Sequence, residues 1–260
     1  MDFSLPTAYR LVVELIPIFA LGFLASYFGS LLGLGGGFIL VPALHLLIGL
    51  SMRDAIFFSL VSILCISLIH NTRNRSLIRS NRQLLIPMAI FAVLGSLGGA
   101  YSQVFLKTQV LELSFGLLLV LVAVYLLSKP EPKISPKEKP LLLANFVQVV
   151  AGFLSGLFGI GGGILTVPAL NRLIGYPLQE SARISFFFIF VSSSVALAVL
   201  VRARREELEL IPPLLLAALV IGSLTGAGFA MRSKISSEFL RKLFSITLLG
   251  VGLLQIWKTL

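Results

Sequence analysis

Gly33-Leu34-Gly35-Gly36-Gly37-Phe38-Ile39-Leu40-Val41-Pro42-Ala43-Leu44 returns 126 residues later as Gly159-Ile160-Gly161-Gly162-Gly163-Ile164-Leu165-Thr166-Val167-Pro168-Ala169-Leu170. Both copies lie in long apolar sequence. No charged residue falls between Leu15 and Met52, and none between Leu141 and Asn171. Three consecutive glycines with a proline close behind break an α-helix. Inside a bilayer such a break must be buried in protein or line a cavity, because lipid offers backbone groups no hydrogen-bond partner. Matching breaks in two halves of a membrane chain are a pointer to a transporter's binding site.

The repeat runs well beyond the glycines. Gly49 matches Gly175, Ser59 matches Ser185 and Pro87 matches Pro213. After a one-residue shift, Gly95–Ala100 matches Gly222–Ala227. The chain therefore reads as a tandem duplication: residues 1–128, a charged and proline-bearing linker at 129–140, and residues 141–260.

Composition sets the class. Of 260 residues, 57% are hydrophobic and only 12% charged, and the mean hydropathy is +1.00. Soluble domains carry about 25% charged residues, so this is a multi-pass, all-α membrane protein. The single cysteine, Cys65, excludes an internal disulfide and a cysteine-based metal cluster. The net charge of +10 does not argue for nucleic acid, because the basic residues sit in short loops where they set orientation. The first apolar segment has a counterpart in the second half, so it belongs to the fold and is not a signal peptide.

Each half holds five apolar segments. They are Leu11–Leu32, Phe38–Leu50, Ala55–Ile69, Leu84–Leu106 and Val110–Leu127, then Leu141–Phe158, Ile164–Gly175, Ile184–Val201, Leu210–Met231 and Phe239–Trp257. A span needs roughly 20 residues, so the last three of each half are full spans and the second is a half-helix. The first two are read as a short-helix pair meeting at the glycines, either dipping in and returning or crossing as two tilted segments. Both give an odd number of crossings per half, hence inverted repeats. Charge agrees: the loops placed inside (71–82, 128–140, 171–183 and 231–242) hold 14 of the 21 Lys and Arg. Four crossings per half, giving parallel repeats, is the alternative. Tyr9, Tyr101, Tyr125, Tyr176 and Trp257 fall near segment ends, as interfacial aromatics do.

The chemistry resides in the breaks. Helices beginning near Phe38 and Ile164 present unpaired N–H groups and the positive end of a dipole. Gly35, Gly36, Gly37, Gly161, Gly162 and Gly163 let the backbone approach a ligand as a concave nest. With Phe38 and Ile164 they form the candidate site for a small anion; close packing of helices is the bland alternative. Ser59 and Ser185 are candidate ligands, unless each bonds back to its own helix. His45, equivalent to Asn171, is a proton-coupling candidate or an interface residue. Arg183 is a selectivity charge or a snorkelling residue, and Gln148 is a weaker polar candidate. Gly95, Gly99, Gly222 and Gly226 have the four-residue spacing of close helix packing. Ser96, Ser223 and Thr225 are placed to bond to local backbone.

These motifs resemble the TauE/SafE sulfite-exporter family, also called the TSUP family. The resemblance rests on Gly33–Leu44, Gly159–Leu170, Ser59-Leu60, Ser185-Phe186, Gly95–Ala100 and Gly222–Ala227, and spans essentially the whole chain. It implies transport, often export, of a small sulfur-containing anion such as sulfite or a sulfonate across a bacterial-type cell membrane. Phe58 and Ile184 stand where the family often has Thr. The expectation is a secondary transporter or facilitator whose partners are a small anion and the lipid bilayer, with no cofactor, no metal and no nucleic acid. Two histidines and one cysteine make a poor enzyme. A membrane scaffold or assembly factor is the rival reading, and the oligomeric state is left open.

Overall fold

The computed structural model describes residues 7–127, 140–208, 212–233 and 237–259. The linker at 129–139 lies outside them, as do the side chains of Tyr9, Lys234 and Arg241. The described residues of the first half form α1 (Thr7–Leu32), α2 (Gly37–Leu46), α3 (Met52–Arg73), the short α4 (Arg75–Ser80), α5 (Arg82–Phe105) and α6 (Thr108–Leu127). The second half forms α7 (Leu141–Phe158), α8 (Gly163–Ala169), α9 (Leu178–Ala203), the short α10 (Arg205–Leu208), α11 (Pro213–Ala230) and α12 (Ser237–Thr259). One π turn, Leu170–Ile174, prolongs α8. Seven helices among the described residues are long and apolar enough to cross a membrane.

The first helix of each half is longer than its reading as half of a short pair. The apolar part of α1, Leu15–Leu32, and α7, Leu141–Phe158, are each span-capable; only Gly37–Leu46 and Gly163–Ile174 are short. The glycines therefore terminate a long helix and start a short one. The short helices end alike. Gly49 (φ 80°) and Gly175 (φ 88°) take the left-handed conformation. The amide after each then bonds back, Leu50 N–H to Leu44 O and Tyr176 N–H to Leu170 O, as helix-closing glycines allow. Ser51 caps the next helix by accepting from the Asp54 amide.

Helix packing is between halves. In α5 against α7, a Cβ at Gly95 would lie 2.0 Å from Val149 O and one at Gly99 2.0 Å from Phe153 O. In α1 against α11, a Cβ at Gly222 would lie 2.2 Å from Phe19 O and one at Gly226 2.1 Å from Phe23 O. The four-residue spacing thus serves close packing, as expected. In both pairs the contacts advance together along the two sequences, so the helices run parallel. In α6 against α12, Gly116 meets Gln255 and Ile256 while Gly252 meets Leu119 and Val120, so that pair is antiparallel.

At the centre, α3 and α9 are antiparallel as well. Arg204 at the end of α9 pairs with Asp54 at the start of α3 at 2.9 Å. At the opposite end, Asn71 Nδ2 donates to Phe186 O at 3.2 Å. The Asp54 end also holds the junction of α5 and α6, where Arg53 donates to Leu106 O at 2.8 Å. The Arg73 end holds α4 and the start of α5, where the Tyr176 hydroxyl donates to Asn81. There, partial burial and then the neighbouring Glu180 hold the Tyr176 phenol above its usual pKa.

Candidate functional site

The two glycine breaks meet in the interior and cross. Gly36 (φ 89°) and Gly162 (φ 67°) stand immediately before α2 and α8 in the left-handed conformation. A side chain there is disfavoured by backbone geometry. It is also excluded by contact: a Cβ would lie 2.6 Å from Ala25 O in one break and 2.6 Å from Ala151 O in the other. One residue on, a Cβ at Gly37 would lie 2.5 Å from Gly159 O, and a Cβ at Gly163 2.5 Å from Gly33 O. Each short helix thus begins against the carbonyl that ends the other half's long helix.

Ser59 and Ser185 hold this crossing together. Ser59 Oγ donates to Gly159 O at 2.7 Å, and Ser185 Oγ lies 2.6 Å from Gly33 O. Both serines are fully buried. Ser185 also lies 2.8 Å from Ala182 O within its own helix. The serines face the breaks, as the repeat suggests, but their protons go to the partner half's backbone. Such a bond satisfies a carbonyl that a terminating helix would otherwise leave buried and unpaired.

Gly35 (φ 80°) and Gly161 (φ 82°) look elsewhere. Both approach two equivalent side chains, Ile63 of α3 and Ile189 of α9. A Cβ added at Gly35 would lie 3.3 Å from Ile189, and one at Gly161 3.1 Å from Ile189. Ile63 and Ile189 are fully buried and lie beside both breaks. These two isoleucines are missed by a reading that looks only for polar residues; the 126-residue offset relates them and is the signal that finds them.

The crossing also gathers N–H groups. Those of Gly36, Gly37 and Phe38, and of Gly162, Gly163 and Ile164, have no acceptor among the described residues, while the first amides beyond them bond back to Gly36 O and Gly162 O. All six residues are buried. Two helix N-termini, each carrying partial positive charge, therefore converge among buried residues.

The remaining candidates disperse. Arg183 is exposed on α9 and does not share the buried face of Ser185. His45 lies in the last turn of α2, where Nδ1 is 2.8 Å from Leu50 O and Nε2 is 3.5 Å from Glu112. A carbonyl only accepts, so Nδ1 carries the proton and Nε2 faces the carboxylate. Asn171 makes the equivalent bond to Tyr176 O at 2.8 Å. Gln148 is buried behind α8, where Thr166 donates to its Oε1 at 3.2 Å. Ser96 donates across to Ser192 O at 2.6 Å, whereas Thr225 bonds back within its own helix. His70 escapes the sequence reading. It stacks on Phe186 at 3.7 Å between ring centres and lies 3.2 Å from Ser30 Oγ, beside the first break.

Comparison with known proteins agrees with this architecture. The family model described as "Sulfite exporter TauE/SafE" matches residues 18–254. A "Probable membrane transporter protein" of Methanocaldococcus jannaschii is 30% identical, over 98% of this chain and all of the relative. The "Probable membrane transporter protein YunE" of Bacillus subtilis is 28% identical over 70% of this chain and 76% of its own length. A relative of the same description from Xylella fastidiosa is 29% identical over 65% of this chain and 68% of its own. No solved structure matches. The chain is a multi-pass membrane transporter and belongs to the sulfite exporter TauE/SafE family.

Proposed function

We propose that this transporter carries a small sulfur-containing anion, such as sulfite or a sulfonate, outward through a site at the crossed glycine breaks. The observation that carries the reading is the convergence of two buried helix N-termini whose first amides have no acceptor among the described residues. Two positive dipole ends facing each other in a low-dielectric interior favour an anion between them, without any basic side chain. Gly36, Gly37 and Phe38 from one half and Gly161, Gly162, Gly163 and Ile164 from the other supply the amides, and Gly35, whose own amide bonds to Gly29 O, lines the approach. Ser59 and Ser185 keep the two halves in register. Ile63 and Ile189 close the site until the halves move.

The proposal includes inverted halves and alternating access by rocking of one against the other. The antiparallel run of the equivalent helices α3 and α9, fixed by Asp54–Arg204 at one end and Asn71–Phe186 at the other, supports this. Arg183 acts as an orienting charge at the membrane edge. His45 is the proton-coupling residue, since its Nε2 faces Glu112.

The test is anion flux from liposomes holding the purified protein. Sulfite and simple sulfonates are expected to move faster than through protein-free liposomes, and to compete with one another. Absence of flux for every anion offered would leave the scaffold reading in its place.

A further inference from the structure

The sequence of arginines at the Arg73 end is not used by the anion site. A cavity of about 490 Å³ opens there between the end of α3, the short α4, the start of α5 and one face of α9. Arg75, Arg79 and Arg82 line its rim, and Ile86, Phe187 and Phe190 continue its wall along the spans. No acidic residue is among its lining residues. Leu77 and Ile78 pack α4 against the neighbouring core, while Arg75 and Arg79, one turn apart, remain exposed. Ile86 is 54% exposed on a helix that spans the membrane, so the apolar wall is open to acyl chains.

We propose that this cavity binds a phospholipid with an anionic headgroup, held by Arg75, Arg79 and Arg82 while its chains lie along Ile86, Phe187 and Phe190. Guanidinium groups match phosphate oxygens in geometry as well as charge. Basic pockets between spans at a membrane edge bind such headgroups. The duplication supplies a control. At the other end of α9 a cavity of about 680 Å³ is built from equivalent positions: Leu197, Val201, Arg205 and Leu64 stand for Asn71, Arg75, Arg79 and Phe190. It keeps Arg202 and Arg205, but Glu206 follows directly in sequence. The same architecture thus occurs twice, with three arginines lining the cavity at one end and two at the other, where Glu206 is the next residue along the chain.

Native mass spectrometry of the detergent-solubilised protein with phosphatidylglycerol or phosphatidylcholine tests the proposal. Wild type is expected to retain phosphatidylglycerol about tenfold or more in preference to phosphatidylcholine, given three arginines at the surface. Arg75→Gln/Arg79→Gln/Arg82→Gln is expected to lose that preference, while Arg202→Gln/Arg205→Gln keeps it. Should the triple variant fail to purify, Arg79→Gln alone is expected to lose part of the preference. Equal retention of both lipids by wild type overturns the proposal, as does a preference unchanged in the arginine variants. Glycerol 3-phosphate, which has the headgroup chemistry without chains, forms a third arm. If it displaces bound phosphatidylglycerol at equal concentration, the arginines serve a soluble anion and the lipid assignment fails.

Discussion

The two glycine breaks share a backbone and differ in what surrounds it. Positive φ recurs at Gly33, Gly35 and Gly36 and at Gly159, Gly161 and Gly162. Each break receives one serine hydroxyl from the opposite half. Around this common frame the side chains diverge. The first break has Ser30 and His70 beside it, where the second half has Gly156 and Ala196. The second break has Thr166 and Gln148 behind it, where the first has Leu40 and Gly22. The duplicated part is the part made of backbone, which the proposed anion site draws on from both halves. The divergent part consists of side chains, which are free to distinguish one membrane face from the other. Symmetry in the amides with asymmetry in their neighbours is compatible with the proposed site, which takes its ligand from the backbone of both halves and leaves the side chains free to differ.

The largest effect tests the shared backbone. Gly36→Val and Gly162→Val place a branched Cβ at positive φ and within 2.6 Å of a backbone carbonyl. A backbone oxygen in a packed helix pair has nowhere to move. The expected cost is on the order of 4 kcal/mol or more in each half, seen as loss of monodisperse protein on size exclusion. Gly35→Ala and Gly161→Ala are milder, because the atoms they meet belong to Ile63 and Ile189 side chains. Strain from positive φ alone costs about 1–2 kcal/mol, so these variants should purify. Their anion affinity should still fall at least about tenfold, since the added methyl group stands where the ligand would approach. Normal affinity in both alanine variants would assign the glycines to packing alone. A collapse of one valine variant with survival of the other would break the equivalence of the two halves.

The serines test the crossing at intermediate cost. Ser59→Ala and Ser185→Ala each leave one buried carbonyl with one partner fewer. Hydrogen bonds between membrane helices are worth roughly 0.6 kcal/mol on average, to a maximum near 1.7. An orphaned buried carbonyl pushes the loss toward the upper part of that range. Both variants should therefore melt a few degrees lower, and by similar amounts. Ser59 should lose slightly more, because Ser185 shares its proton with Ala182 O. A loss confined to one serine would show that the halves are not held symmetrically.

The element pattern and the matched breaks are legible in the sequence because both depend on local features: apolar run length, three glycines and a proline. Partners across the crossing are not. Ser59 reaches a carbonyl 100 residues away and Ser185 one 152 residues away, and neither separation follows from the repeat offset. The ends of the first helix in each half are legible as Leu32 and Phe158, but its role is not, because a glycine break reads as the junction of two short helices rather than of one long and one short. Arg183 is the instructive case. Two residues along a helix turn through about 200°, so Arg183 and Ser185 point to opposite faces, and a buried Ser185 already dictates an exposed Arg183. Sequence proximity suggested a shared role that helical phase forbids.

The smallest structural effect carries the most functional information, and the second half supplies its design. His45 and Asn171 are equivalent, and each bonds to the carbonyl five residues ahead. Asparagine therefore already performs the structural task of this position, with its amide donating where Nδ1–H donates in His45. His45→Asn should preserve the end of α2 and change the melting temperature by no more than about 2 °C, within the ±0.5 kcal/mol typical of substitutions that spare buried features. What it removes is Nε2, the atom 3.5 Å from Glu112 and the ring nitrogen not engaged with the Leu50 carbonyl. Anion flux driven by a pH gradient should then lose its dependence on the gradient, while flux driven by an anion gradient alone continues. Glu112→Gln should do the same, because it removes the carboxylate that faces Nε2. Unaltered pH-driven flux in His45→Asn would reduce His45 to the helix-ending residue that Asn171 is, and would make the two halves more alike than their side chains suggest.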